Sequence, residues 1–165
     1  MSTSEMSSTS SEIHHDAQAL HEQTNFEELQ GDLFTASPPT DSLAHCISAD
    51  IKMGKGIAVL FKSKFGGVSE LQEQSKRVGE VAYLVRDGRY IFYLITKERH
   101  FHKPTHEDFE KAVSELRSLC DELGVLGLSI PRIGAGLDKL DLDYVQSVVK
   151  NAFDGSNTKV TMFYL

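Results

Sequence analysis

Short runs of consecutive apolar residues alternate along this chain with stretches in which apolar residues recur every three or four positions. That is the pattern of buried strands interleaved with amphipathic helices. Strands are predicted at residues 26–29, 43–48, 126–130 and 159–164, and a loop through Pro38-Pro39. The segments 80–86 and 89–96 flank Asp87-Gly88, a pair that accepts positive φ, and so predict a β-hairpin. A helix is predicted over 57–65, closed by Gly66-Gly67, with a shorter one from Ser69 to about Arg77. Pro104 is expected to open a long helix as its first helical residue. Phe109, Ala112, Val113, Leu116, Leu119, Cys120 and Leu123 form its apolar stripe, and Gly124 closes it. A last helix carries Leu142, Val145, Val149 and Phe153. Alternation of this kind predicts an α/β fold, a three-layer sandwich around a mixed sheet, with ligands beyond the carboxyl ends of the strands.

Two glycine-rich loops fall at such ends: Met53-Gly54-Lys55-Gly56-Ile57-Ala58 and Arg132-Ile133-Gly134-Ala135-Gly136-Leu137-Asp138. Glycines there let backbone N–H groups converge on an anion. One loop alone reads as a tight turn, whereas two in one small domain point to a diphosphate held from both sides. Neither is a Rossmann fingerprint, because Val59 and Lys139 stand at the third glycine position, and no P-loop string occurs. Nucleotide binding by another scaffold is the expectation.

Composition narrows the setting. At 165 residues, 40% hydrophobic and 25% charged, the chain fits one soluble domain, residues 25–165, behind a Ser/Thr-rich segment, 1–24, too poor in large apolar residues to order itself. No apolar run approaches a membrane span, and the start lacks the basic and apolar regions of a secretory signal. A formal charge of −7 argues against general nucleic-acid or lipid attachment. Cys46 and Cys120 sit among apolar neighbours and read as reduced core thiols, which suggests a nuclear or cytoplasmic protein. A monomer is expected. His100, His102 and His106 match no zinc spacing and read as a solvated loop, so neither a metal nor a cofactor is expected.

The strings QGDLF (30–34), DSLAHCIS (41–48), MGKGIAVLFKSKFGG (53–67), RDGRYIFYLITK (86–97), HKPT (102–105) and LSIPRIGAGLDKL (128–140) together resemble the macrodomain family, in its branch of terminal ADP-ribose protein glycohydrolases that also deacetylate O-acetyl-ADP-ribose. The resemblance runs in order from about Leu29 to Leu165. It implies ADP-ribose lying across the sheet. Asp32 would accept from the adenine amino group, with Leu33 beside it and Tyr164 and Leu165 packing nearby. Gly54, Lys55, Gly56, Ile57 and Ala58 would form one phosphate loop and Ile133, Gly134, Ala135, Gly136 and Leu137 the other. Ser48 would lie near the distal ribose, and Lys97 and Asp138 would be the catalytic pair. Lys55 and Ala135 depart from the family pattern, in loops that act mainly through backbone.

Lys97 ends the apolar run 91–96, and partial desolvation at a strand end favours the neutral amine that attacks carbons at the aldehyde oxidation level. The anomeric C1″ is such a carbon, and Asp138 is placed to move the protons as general acid/base. By themselves, Lys97 also reads as a surface lysine at a strand end, Asp138 as a helix cap, and Asp32 as a turn residue. Three activities follow from the resemblance. One is a hydrolase acting on Glu- or Asp-linked mono-ADP-ribose and on O-acetyl-ADP-ribose. The others are a non-catalytic ADP-ribose reader and an ADP-ribose-1″-phosphate phosphatase. The partners expected are ADP-ribose and ADP-ribosylated proteins.

Overall fold

The computed structural model describes residues 25–165; the segment 1–24 lies outside the described residues. Among the described residues, six strands and five helices succeed one another in this order: β1 (Phe26–Gln30), α1 (Leu33–Ala36), β2 (Ser42–Ser48), α2 (Ile57–Phe65), α3 (Val68–Glu73), β3 (Val81–Arg86), β4 (Arg89–Lys97), α4 (His106–Leu123), β5 (Gly127–Ile130), α5 (Leu142–Ala152) and β6 (Lys159–Tyr164). The strands form one sheet in the order β1-β6-β5-β2-β4-β3. Every neighbouring pair is parallel except the β3–β4 hairpin, with Arg86 opposite Arg89 across Asp87-Gly88. Five strands therefore point the same way and end on one edge.

Strand alternation sends successive side chains to opposite faces. In β4, Phe92 and Leu94 join a core with Phe109, Val113 and Leu116 of α4 and Val145 and Val149 of α5. Ile91, Tyr93 and Ile95 join a second core with Leu33, Phe61 of α2 and Leu71 of α3. A sheet buried on both faces needs near-continuous apolar strands, which is why β2 and β4 read as runs rather than alternations. At the outer edge, the Gln74 side chain stands in for a seventh strand: its Nε2 donates to Tyr83 O at 2.8 Å and its Oε1 accepts from Tyr83 N at 3.0 Å. No helix among the described residues is long and apolar enough to cross a membrane.

Two local expectations differ from the structure, and one short helix lies where the sequence analysis placed no element. The helix α1 is a single turn, too short for a periodic signal. Pro104 precedes α4 rather than opening it, because the Thr105 hydroxyl takes the N-cap role by accepting from the Asp108 N–H at 3.1 Å. The short helix α3 spans Val68–Glu73 instead of reaching Arg77, since Ser75 adopts φ 53 and Gln74 turns to β3.

His45 is buried in β2 at 1% exposure, stacked on Phe61 with ring centroids 3.7 Å apart, and neither ring nitrogen has a partner among the described residues. Desolvation lowers its pKa to about 3. The unfolded chain therefore binds a proton here that the folded one refuses between pH 6.5 and about 3. Stability is full above pH 6.5 and falls with acidification by up to ~1.4 kcal/mol per pH unit. Replacing His45 with Phe keeps the stack and removes both nitrogens. Urea unfolding of that variant should lose much of its pH dependence between pH 6.5 and 4; an unaltered slope would locate the acid sensitivity elsewhere.

Candidate active site

Because β1, β6, β5, β2 and β4 are parallel, their carboxyl ends bring Gln30, Tyr164, Ile130, Ser48 and Lys97 to one edge, and the two glycine-rich loops continue from Ser48 and Ile130. Lys97 is the last residue of β4 and pairs with Ser48 across the β2–β4 ladder, just past a register shift. Its side chain is 14% exposed, and its Nζ donates to Asp138 Oδ1 at 2.6 Å; the Asp138 side chain is 15% exposed. The lysine is thus neither a surface residue nor left against apolar atoms. Asp138 is not the helix cap either, since Asp141 caps α5 by accepting from the Asp143 N–H at 3.2 Å. Half-buried Cys46 lies near enough to feel both charges. Burial pushes its thiol well up, the Asp138 charge adds to this, and Lys97 opposes it, so the thiol stays protonated.

The two loops meet. Gly56 caps α2 with φ 61 and no side-chain acceptor for the first-turn N–H groups. A Cβ at Gly56 would stand 3.0 Å from Leu137 Cδ1 of the second loop. Gly134, φ 73, is wedged so that a Cβ would meet Leu140 Cδ1 and Phe109 Cε1 at 3.0 Å. Gly136 faces open space. Gly54, Lys55, Gly56, Gly136 and Leu137 are exposed, and Ile57, Ala58 and Ala135 half-buried. Ile133 is a core residue at 3% exposure, so it offers the edge backbone only.

At the opposite end of the edge, Gly31 N donates to Tyr164 O at 2.7 Å and sets Asp32 beside the end of β6. Asp32 caps α1 through Oδ1, which accepts from Phe34 N at 2.8 Å and Thr35 N at 3.2 Å. Leu33 is buried in the second core, and Leu165 is exposed. Tyr164 lies under the Arg132 guanidinium, 4.2 Å from ring centroid to Cζ. Arg132 in turn pairs with Glu28 at 3.1 Å. Burial pushes the Glu28 carboxyl up, but hydrogen bonds from Arg132 and Gln146 outweigh it and hold the group below its ordinary range.

Two residues of this edge are not singled out by the sequence. Arg132 lies in a loop that draws attention through its glycines. Asp50, in the turn after β2, finds its partner His100 fifty positions away, and no local spacing signals that. Burial pushes Asp50 up, yet hydrogen bonds from Ser48, the His100 ring and N–H, and the Lys52 N–H hold it far below the usual carboxylate range. Among the described residues no three potential metal ligands converge; His106 stacks on Tyr144 instead, centroids 4.0 Å apart. A groove of about 500 Å³ between α4 and α5, lined by Glu110, Arg117, Tyr144 and Asn151 among others, brings together none of the candidate residues.

A two-sided α/β sheet with paired glycine loops over its carboxyl edge is the macrodomain architecture. The macrodomain of Thermus aquaticus DarG superposes with a TM-score of 0.75 over 85% of this chain and 97% of that one, at 24% identity. Thermosipho africanus DarTG, solved in complex with ADP-ribose, superposes with a TM-score of 0.75 at 17% identity over 86% of this chain and 42% of that one. A human protein, ADP-ribose glycohydrolase OARD1, is 56% identical over 137 residues, 83% of this chain and 90% of that one, and its bovine counterpart is 54% identical over the same length. This chain belongs to the macrodomain family. No family model matches it.

The environments of the second-loop glycines separate their roles. Gly134→Val forces a β-branched residue into positive φ against Leu140 and Phe109, and should cost ~2 kcal/mol or more, several degrees of Tm. Gly136→Val should leave Tm within ~2 °C. Equal losses in a thermal melt would contradict this division.

Proposed function

We propose that this chain is an ADP-ribose glycohydrolase that removes mono-ADP-ribose from Glu and Asp side chains of modified proteins and deacetylates O-acetyl-ADP-ribose, with Lys97 as nucleophile and Asp138 as acid/base. The observation that carries this reading is the 2.6 Å contact of Lys97 Nζ with Asp138 Oδ1, partly buried where a diphosphate-binding edge ends. A module that only binds ADP-ribose has no need of a desolvated amine–carboxylate pair. The 56% identity to human ADP-ribose glycohydrolase OARD1 supports the same reading, as does 27% identity to a Thermus aquaticus DNA ADP-ribosyl glycohydrolase over 135 residues, 76% of this chain and 37% of that one.

In this reading the exposed backbone around Gly54–Gly56 and Gly136 receives the diphosphate and Asp32 the adenine amino group. Asp32 Oδ1 is engaged in capping, so Oδ2 is the oxygen for adenine. The distal ribose then reaches the end of β4. Across the short contact, Asp138 takes a proton from the Lys97 ammonium and leaves a neutral amine. The nitrogen bonds to C1″ as the C1″–O bond to the acyl group breaks, and the carboxylate departs with the bonding pair. The glycosylammonium passes a proton to the ring oxygen as it opens to a protonated imine, and water adds to C1″ with loss of one proton to solvent. Asp138 returns its proton to nitrogen as the C–N bond breaks, freeing ADP-ribose and Lys97. We place the protein in the nucleus or cytoplasm, as a monomer.

Lys97→Ala should bind ADP-ribose but lose turnover of Glu-linked mono-ADP-ribosylated protein by ~10³-fold or more. In Asp138→Ala the amine can lose its proton only to solvent and the group that resolves the adduct is gone, so at alkaline pH, where solvent frees the amine, intact-mass analysis should find ADP-ribose attached to Lys97. Wild-type turnover in Lys97→Ala would remove Lys97 as the nucleophile, whereas no turnover by the wild type would return the reader and phosphatase readings.

Calorimetry with ADP-ribose tests the binding half separately. Asp32→Ala should weaken affinity by ~1–3 kcal/mol, the cost of a lost hydrogen bond to a charged group, and Gly136→Val should weaken it without unfolding. Unchanged dissociation constants in both would move the ligand off this edge.

A further inference from the structure

Asp50 ties together three parts of the edge. Its Oδ1 accepts from the Ser48 hydroxyl and from the Lys52 N–H at 3.3 Å. Its Oδ2 accepts from the His100 N–H at 3.1 Å and faces His100 Nδ1 at 3.1 Å. Ser48 is the ladder partner of Lys97, and Ala49 N donates to Lys97 O at 2.8 Å. The residues that follow are strained: Ile51 and Met53 hold φ 52 and 44, where side chains are disfavoured and only surrounding contacts keep the backbone. Both are buried, so the turn is clamped from inside by their side chains and from outside by one carboxylate.

Resting on the glycohydrolase reading above, we propose that Asp50 is a positioning residue that locks the first glycine-rich loop to the strand end carrying Lys97, and so sets the reach of the amine from the bound diphosphate. A small misplacement of a reacting group is enough to lose much of the rate. A carboxylate suits the position because an O–H, two N–H groups and the His100 Nδ1 all face it, and a carboxylate is an acceptor at both oxygens. Asparagine can satisfy only part of that set. Turned with its nitrogen toward Ser48, which can accept, it keeps the His100 arm and gives up the Lys52 arm.

The test compares wild type with Asp50→Ala, Asp50→Asn and His100→Ala in the full chain, by turnover of mono-ADP-ribosylated protein and by amide hydrogen exchange with and without ADP-ribose. Asp50→Ala should lower kcat by about 10–100-fold. In the unliganded protein, exchange over 49–57 and 98–103 should rise by about 10-fold while α4 and β6 stay protected. ADP-ribose should slow exchange over 98–103 in wild type but not in Asp50→Ala. Asp50→Asn should restore protection of 98–103 and most of kcat. Wild-type exchange and kcat in a folded Asp50→Ala would overturn the proposal, as would faster exchange spread evenly over every strand. Should Asp50→Ala not fold, His100→Ala decides: removing that exposed ring should loosen 50–53 as well as 98–103, and unchanged exchange at 50–53 refutes the link. If wild type turns over no substrate, the glycohydrolase reading fails, whereas exchange in the unliganded protein still decides what Asp50 holds.

Discussion

The parallel pairing of β1, β6, β5, β2 and β4 is the constraint on which the rest of this molecule depends. Parallel strands cannot be joined by tight turns, so each connection crosses a face and both faces become covered. Two cores result, one with α4 and α5 and the other with α1, α2 and α3. All five carboxyl ends then open on one edge. Asp32, Ser48, Lys97, Gly134, Asp138 and Tyr164, scattered over more than 130 positions, share that edge for this reason alone.

Precision within the edge comes from interactions of different strength. The glycine loops need conformations that side chains resist, and the contact of Leu137 with Gly56 fits one loop against the other. Asp50 works at a strained turn, where a hydroxyl, two N–H groups and the His100 ring meet one carboxylate and hold it well below the usual carboxylate range despite burial. The Lys97–Asp138 contact is short and shielded, so breaking it by removing one partner strands a charge in a partly dry place, which is far costlier than losing a surface pair.

Around the edge, polar groups are held by charge-assisted contacts. Arg132 lies between Glu28 and the Tyr164 ring and joins β1, the second loop and the last strand. His45 differs from these, a neutral imidazole among aromatic rings with no partner for either ring nitrogen among the described residues. It makes the sheet sensitive to acid without touching the edge where the chemistry is proposed.

Period and punctuation in the sequence determined the strands and helices, the Asp87-Gly88 hairpin, and the glycine loops at strand ends, because these depend on neighbours within a few positions. The family resemblance singled out Lys97 and Asp138, which taken alone read as a surface lysine and a helix cap. One-turn α1, the shift of the α4 start to Thr105 and the early end of α3 escaped a local reading, since each turns on one capping hydrogen bond or one left-handed residue. Only the tertiary structure decided that Lys97 faces Asp138 rather than solvent, that Asp141 caps α5, that Ile133 and Leu33 serve the core, and that Asp50 meets His100. Those contacts join residues far apart in the chain, and the register of parallel strands, which no short stretch of sequence encodes, is what sets them side by side.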